Sequence, residues 1–166
     1  MTFNKEKMKQ VIHYIVHKCQ DKDNFGKTVL YKLMYFSDFN HYEIYETSIT
    51  DETYIKRENG PVPSSFDKCC NELEEEYKID NEKKPVLSYY RYHYFSLKDP
   101  DINLLSNNER KVIDNVIEKL SSMNARSISD YSHGDKPWRV AEFTKPLDPE
   151  FVFYRDDEYS VRVYED

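Results

Sequence analysis

Glycine is scarce, with three in 166 residues, and this excludes the glycine-rich loops that cradle phosphates in nucleotide-binding motifs. Cysteine is equally sparse. Cys19, Cys69 and Cys70 form an odd set with two neighbours that rarely bridge each other, so no disulfide framework is expected and a reducing cytoplasm fits best. No CxxC or paired-histidine spacing accompanies them, which favours half-buried thiols over metal ligands. No run of about 18 apolar residues occurs, and the start "MTFNKEKMKQ" lacks the features of a secretory signal, so neither export nor membrane insertion is expected. A basic stripe is also missing. The formal charge is -7, which argues against direct nucleic-acid binding, because phosphate contacts need clustered Lys and Arg. Residues 148–166 hold seven acids against Arg155 and Arg162, so this tail carries -5 and the remaining chain only -2.

What is present is aromatic: 15 Tyr and 9 Phe supply large apolar bodies to a chain that is otherwise 33% charged. The length suits one domain with a single core. Met8, Val11, Ile12, Ile15, Val16 and Cys19 recur at helical steps and predict a first helix from about Lys5 to Gln20. "KTVLYKLMYFSDFNHYEIYE" predicts a second, with an apolar arc wide enough for burial on more than one side. "ITDETYIKREN" reads as a short strand running into a Gly-Pro loop. In "SSFDKCCNELEEEY", Ser64 is the expected N-cap, and Phe66, Cys69, Cys70, Leu73 and Tyr77 form the inner stripe of a third helix.

"KPVLSYYRYHYFSLKD" reads as a strand from Val86 to Leu97 that pairs with the strand before Gly60. Alternation sends Tyr90, Tyr92 and Tyr94 to one side of it and Tyr89, Arg91, His93 and Phe95 to the other. Exposed aromatics with Arg also occur in single-strand RNA binders, but the acidic balance favours protein recognition. "LSNNERKVIDNVIEKLSSM" has the clearest helix start, with Ser106 as N-cap, Glu109 at the capping-box position, and Val112, Ile113, Val116, Ile117 and Leu120 inside. "NARSISDYSHGDKPWRVAEF" reads as a helical pair broken at Gly134 and restarted near Pro137. The tail "DPEFVFYRDDEYSVRVYED" alternates around "RDDE" and suggests a hairpin or an extended arm. Together these predict an α+β fold, predominantly helical, with a small antiparallel sheet.

Two stretches stand out. In "RENGPVPSSFDKCCNEL", Gly60 permits a positive φ while Pro61 and Pro63 fix φ and remove amide donors. This loop either simply joins strand to helix or offers a partner a preorganised wall at Arg57, Gly60, Pro61 and Val62, and both readings hold together. In "SHGDKPWRVA", His133 with Asp130 and Asp135 nearby has the composition of a general-base site. Yet no nucleophile elbow or zinc-ligand spacing accompanies it, so His133 reads as a structural hydrogen bond fixing the turn before Trp138. Trp138 reads as a plug of the core or edge, or else it and Arg139 are interface anchors, residue types enriched in binding hot spots.

The stretches "KLMYFSDFNHY", "YIKRENGPVPSSFDKCCNEL" and "LSNNERKVIDNVIEKLSSMNARSISDYSHGDKPWRVA" resemble the Panacea domain, the SocA-like antitoxin family to which phage-associated proteins of the GepA type belong. The resemblance runs from about Lys5 to Phe143. Its most specific pieces are the Gly60-Pro61-Val62 turn and the order and spacing of His133, Pro137 and Trp138. It implies a cytoplasmic, non-enzymatic antitoxin, without cofactor, that neutralises a co-encoded toxin by direct contact. At least one member of the family also acts as an adaptor to a AAA+ protease. Glu58-Asn59 replaces the family's usual approach to the turn, and the acidic aromatic tail is not part of the core pattern. The expected organisation is therefore a domain over 1–147 and an extension over 148–166 packed on it. For an antitoxin facing a basic toxin groove, Phe151, Tyr154, Asp156, Asp157 and Tyr159 of that extension become contact candidates.

Overall fold

The computed structural model describes residues 2–87 and 89–165, without the side chains of Val86 and Tyr89. Among the described residues, six helices and two hairpins follow the order α1 (Lys5–Cys19), α2 (Lys27–Tyr45), β1 (Tyr54–Arg57), β2 (Gly60–Pro63), α3 (Phe66–Glu75), β3 (Ile79–Val86), β4 (Tyr89–Ser96), α4 (Asn107–Leu120), α5 (Ala125–His133) and α6 (Lys136–Val140), then a 3-10 turn over Pro149–Tyr154. The α+β class, mainly helical, is as expected.

Helix α2 is central, packed against α1, α4, α5, β2 and β4. Its buried residues surround the axis, from Val29 and Leu30 through Tyr35, Phe36 and Phe39, because apolar and aromatic side chains occupy nearly every position of the helix wheel. Tyr35, Phe39 and Tyr54 meet as an aromatic knot, with centroids 4.4 Å apart for Tyr35–Phe39 and 5.6 Å for each pair with Tyr54. The whole expected stripe of α1 is buried. Helix α4 starts at Ser106 with the capping box formed, since Ser106 Oγ accepts from Glu109 N and Glu109 Oε1 accepts from Ser106 N.

Three expectations of the strands and caps are corrected. First, the Gly60 stretch is a strand, antiparallel to β1 in the register Arg57↔Gly60, Lys56↔Pro61, Ile55↔Val62 and Tyr54↔Pro63. Lys56 N and O bond instead to Lys145 O and Thr144 N, and Tyr54 O accepts from Leu147 N. Pro61 and Pro63 thus sit opposite residues that turn their backbone groups the other way, where a missing amide costs nothing. Second, β4 pairs with β3, not with the strand before Gly60. The expected strand Val86–Leu97 contains the turn: Val86 ends β3, Leu87 takes φ 54°, and Ser88 and the side chain of Tyr89 lie outside the described residues. Third, α3 is capped from a distance. Its N-cap position is Ser65, which makes no side-chain cap bond. The buried Glu52 carboxylate accepts from Ser65 N at 2.8 Å and from both Ser64 and Ser65 hydroxyls. Tyr77 falls beyond the end of α3 and is exposed, whereas Phe66, Cys69, Cys70 and Leu73 are buried as expected.

Candidate partner-binding site

The β1–β2 hairpin, the α5–α6 corner and the C-terminal segment converge on one face. Gly60 lies at its base with φ 113°. A Cβ there would collide with Lys32 Cε and Ser132 Oγ, so only glycine lets β2 lie this close to α2 and α5. Lys32 is 1% exposed, and its ammonium donates to Pro61 O at 3.5 Å. Burial pushes its amine down to about 8.

Above this base stands Trp138. Its Nε1 donates to Arg57 O at 3.2 Å, His133 stacks on it with centroids 4.3 Å apart, and Phe143 meets it edge-on at 6.0 Å. The Lys56 ammonium lies 4.0 Å from the indole centroid while donating to Ala141 O at 3.0 Å, a cation–π contact strengthened by the burial of Lys56. Among the described residues His133 does not make the expected hydrogen bond: its buried Nε2 has no partner there, and the ring stacks on Trp138.

The corner is fixed from behind by charge. Asp135 caps α6 by accepting from Lys136 N and also accepts from Tyr35 Oη at 2.8 Å. Arg155 donates to both Asp135 oxygens at 2.9 and 2.8 Å and, through Nη1, to Asn40 Oδ1 and Glu43 Oε1. The side chains of Arg155, Asp135 and Glu43 are wholly shielded from solvent. Burial would raise the Glu43 carboxyl, but bonds from Ser160, Val161 N, Tyr164 and Arg155 hold it below its usual value. Burial disfavours the Arg155 charge, and Asp135 and Glu43 more than offset that, raising it.

Corner and tail are therefore one construction. The tail forms a 3-10 turn and then an irregular strap; the expected hairpin is not made among the described residues, and Asp166 lies outside them. Tyr159 donates to Tyr131 O at 2.9 Å, and its hydroxyl occupies the space a Cβ on Gly134 would need.

The sequence-derived candidates fall into three positions. Trp138 touches both Arg57, through its backbone oxygen, and His133. Around α6, Arg139 pairs with Asp156 at 3.2 Å, and a cavity of about 590 Å³ opens between Lys136, Phe151, Tyr154 and Arg155. Gly60, Pro61 and Tyr159 are buried and Val62 is half-buried, so they shape this face from beneath, while Asp157 is exposed. Val140, Phe143 and Tyr154 leave apolar surface uncovered here. Residue-by-residue reading did not single out Lys32, Glu43, Lys56 or Arg155. Of these, Lys32 and Glu43 carried a signal, charged residues inside a helix that is apolar on nearly every side.

The thiols offer no nucleophile: burial raises all three, Cys19 and Cys69 to about 11. Among the described residues, no three His, Cys, Asp or Glu side chains converge as a metal cage, and no helix is long and apolar enough to cross a membrane.

A family model described as Antitoxin SocA-like, Panacea domain, matches residues 30–139, which runs from α2 to Arg139 in α6 and leaves the tail outside. No curated protein and no solved structure matches the chain at a significant level.

Proposed function

Because the chain belongs to the SocA-like Panacea antitoxin family, we propose that it neutralises a co-encoded protein toxin in the cytoplasm by binding it directly, and that the face around Trp138 and α6 makes the contact. One observation supports this most: the exposed Arg139, Phe143 and Tyr154 stand on a corner held rigid by the buried Arg155–Asp135–Glu43 network. Side chains presented by a fixed scaffold lose little entropy on binding, and aromatic and Arg anchors dominate interface energies. The acids beside them, Asp148, Glu150, Asp156 and Asp157, are all exposed and complement a basic toxin surface. A stable complex of this kind buries on the order of 1,200 to 2,000 Å².

The experiment is co-expression with the adjacent open reading frame. A neighbour that is toxic alone, harmless with this protein and co-purified with it at a fixed ratio supports the reading. A neighbour that is harmless alone and never co-purifies overturns it.

A further inference from the structure

Hairpin β3–β4 ends in a tip that breaks two local rules at once. Leu87 takes φ 54° and is 100% exposed, although a left-handed turn position favours Gly or Asn and an aliphatic side chain gains nothing in water. Such an outlier points to a contact that the isolated chain does not make. Behind the tip the hairpin is cationic and aromatic. Lys83 and Pro85 lie opposite Tyr92 and Tyr90 across the two strands, so these four share one side of it. Lys83 Nζ is 4.7 Å from the Tyr90 centroid and 6.0 Å from that of Tyr92, and both rings are exposed. Residues 82–92 hold Lys83, Lys84 and Arg91 against Glu82 alone, which Lys84 meets at 3.2 Å. Their charge of +2 leaves -9 on the rest of the chain.

The complement of this tip lies near the other end of α2. The cleft of about 590 Å³ beside α6 is bounded by the Phe151 and Tyr154 rings, 6.1 Å apart, and by the exposed Asp148 and Glu150. Its lining cations are Lys136 and Arg155, and buried Asp135 and Glu43 already meet the Arg155 charge. Exposed Asp156 and Asp157 follow, with Arg139 paired to Asp156. The mouth is therefore apolar within and acidic around. A chain cannot fill its own cleft. Tyr90 lies beside Gly26 at the start of α2, whereas Glu150 Oε1 accepts from Tyr42 Oη near the end of that helix. From Gly26 to Tyr42 the helix rises about 24 Å, and Leu87 stands only three residues beyond Tyr90, about 10 Å of extended chain.

We propose that the tip of hairpin β3–β4 docks into the Phe151–Tyr154 cleft of a second copy of this chain. Leu87 leads and meets the two rings, while Lys83 on the hairpin's flank meets the Asp148 and Glu150 carboxylates. Opposite charge on the two patches draws the copies together and fixes which patch meets which. Because donor and acceptor are different patches, the contact runs head to tail. One hairpin tip covers little area, which places the contact in the weak class, below about 1,200 Å². It overlaps the face proposed for the toxin but does not rest on that reading, since the protein alone makes it.

The test is sedimentation velocity of the full chain over a range of concentrations at low and high salt. Species heavier than the 20.0 kDa monomer are expected, with an apparent Kd of about 100 μM or tighter at about 50 mM salt and about tenfold weaker at 0.5 M. An arm variant, Lys83→Glu with Leu87→Asn, and a cleft variant, Glu150→Lys with Tyr154→Ala, are each expected to stay monomeric at unchanged Tm. All four positions are exposed, and Asn tolerates the left-handed turn. Mixed together, the two variants are expected to form a heterodimer, because the arm variant keeps an intact cleft and the cleft variant an intact arm. Should either double variant fail to fold, Leu87→Asn and Tyr154→Ala alone decide, each expected to weaken association about fivefold or more. A monomer at every concentration, association that ignores salt, a variant of either patch that associates like the parent, or a mixture that stays monomeric each overturns the proposal.

Discussion

Arg155 Nη2 lies 2.8 Å from Asp135 Oδ2, with both side chains fully buried and 20 residues apart in the chain. Removing one member of such a pair strands the other charge in the interior. Arg155→Ala leaves Asp135 and Glu43 without their cation and is expected to destabilise by about 3–5 kcal/mol, a fall in Tm of roughly 10 °C for a chain of this length. Arg155→Lys is expected to recover only part, because a lysine cannot make the fork to both Asp135 oxygens. Thermal melts of the two variants check this, and an Arg155→Ala protein as stable as the parent would contradict it.

Gly60→Ala combines a positive φ with collision against Lys32 and Ser132. The expected cost is on the order of 1–3 kcal/mol, read as a lowered midpoint in urea with unchanged m-value. A neutral result would mean that β2 can shift away from α2 at no cost.

Lys32 gives stability a distinctive pH dependence. Its amine is pushed down by burial from 10.5 to about 8 in the folded protein. Between those values the unfolded chain holds the proton and the folded one does not, so this residue's contribution rises with pH across that window and is lost as pH falls back through 8. Below it, the burial penalty is on the order of 3 kcal/mol. Lys32→Met is therefore expected to be more stable than the parent at pH 7, with the difference shrinking toward pH 10.5. A difference that stays constant with pH would show that the amine is solvated.

The thiols supply a simple solution check. Cys19, Cys69 and Cys70 are buried with raised thiol pKa values. All three are expected to resist a disulfide reagent in the native protein and to react together in denaturant. One fast native thiol would place that cysteine at the surface.

Surface and scaffold separate the proposed toxin contact from stability. Tyr154 and Arg139 are exposed, so Tyr154→Ala and Arg139→Ala are expected to change stability by about 0.5 kcal/mol or less while each weakens toxin binding about tenfold. The Arg139–Asp156 pair is itself too exposed to matter for folding. Deleting the chain after Leu147 tests less cleanly, because it also removes Arg155 from the core. Unchanged affinity in both point variants would move the interface elsewhere.

What was legible in the sequence was local. Ser106 and Glu109 find each other within one helical turn, the stripe of α1 repeats at helical steps, and Gly134 followed by Pro137 marks a break between two helices. Each rests on interactions between residues three or four apart, which the order of residues alone dictates. The stretch "IDNEKKPV" hid strand β3, because its polar residues have low strand preference and it holds its shape through pairing with β4.

The amino-acid order by itself determined the helices, the mainly helical class and the family, since periodicity, caps and motif spacing are properties of the chain. Tertiary structure alone decided that Glu52 caps α3 from 13 residues away, that Lys32 lies buried beneath Gly60, and that Arg155 reaches Glu43 across 112 residues. A buried charge acquires its partner only when the core closes around it, and nothing in the local sequence encodes which distant side chain will be there.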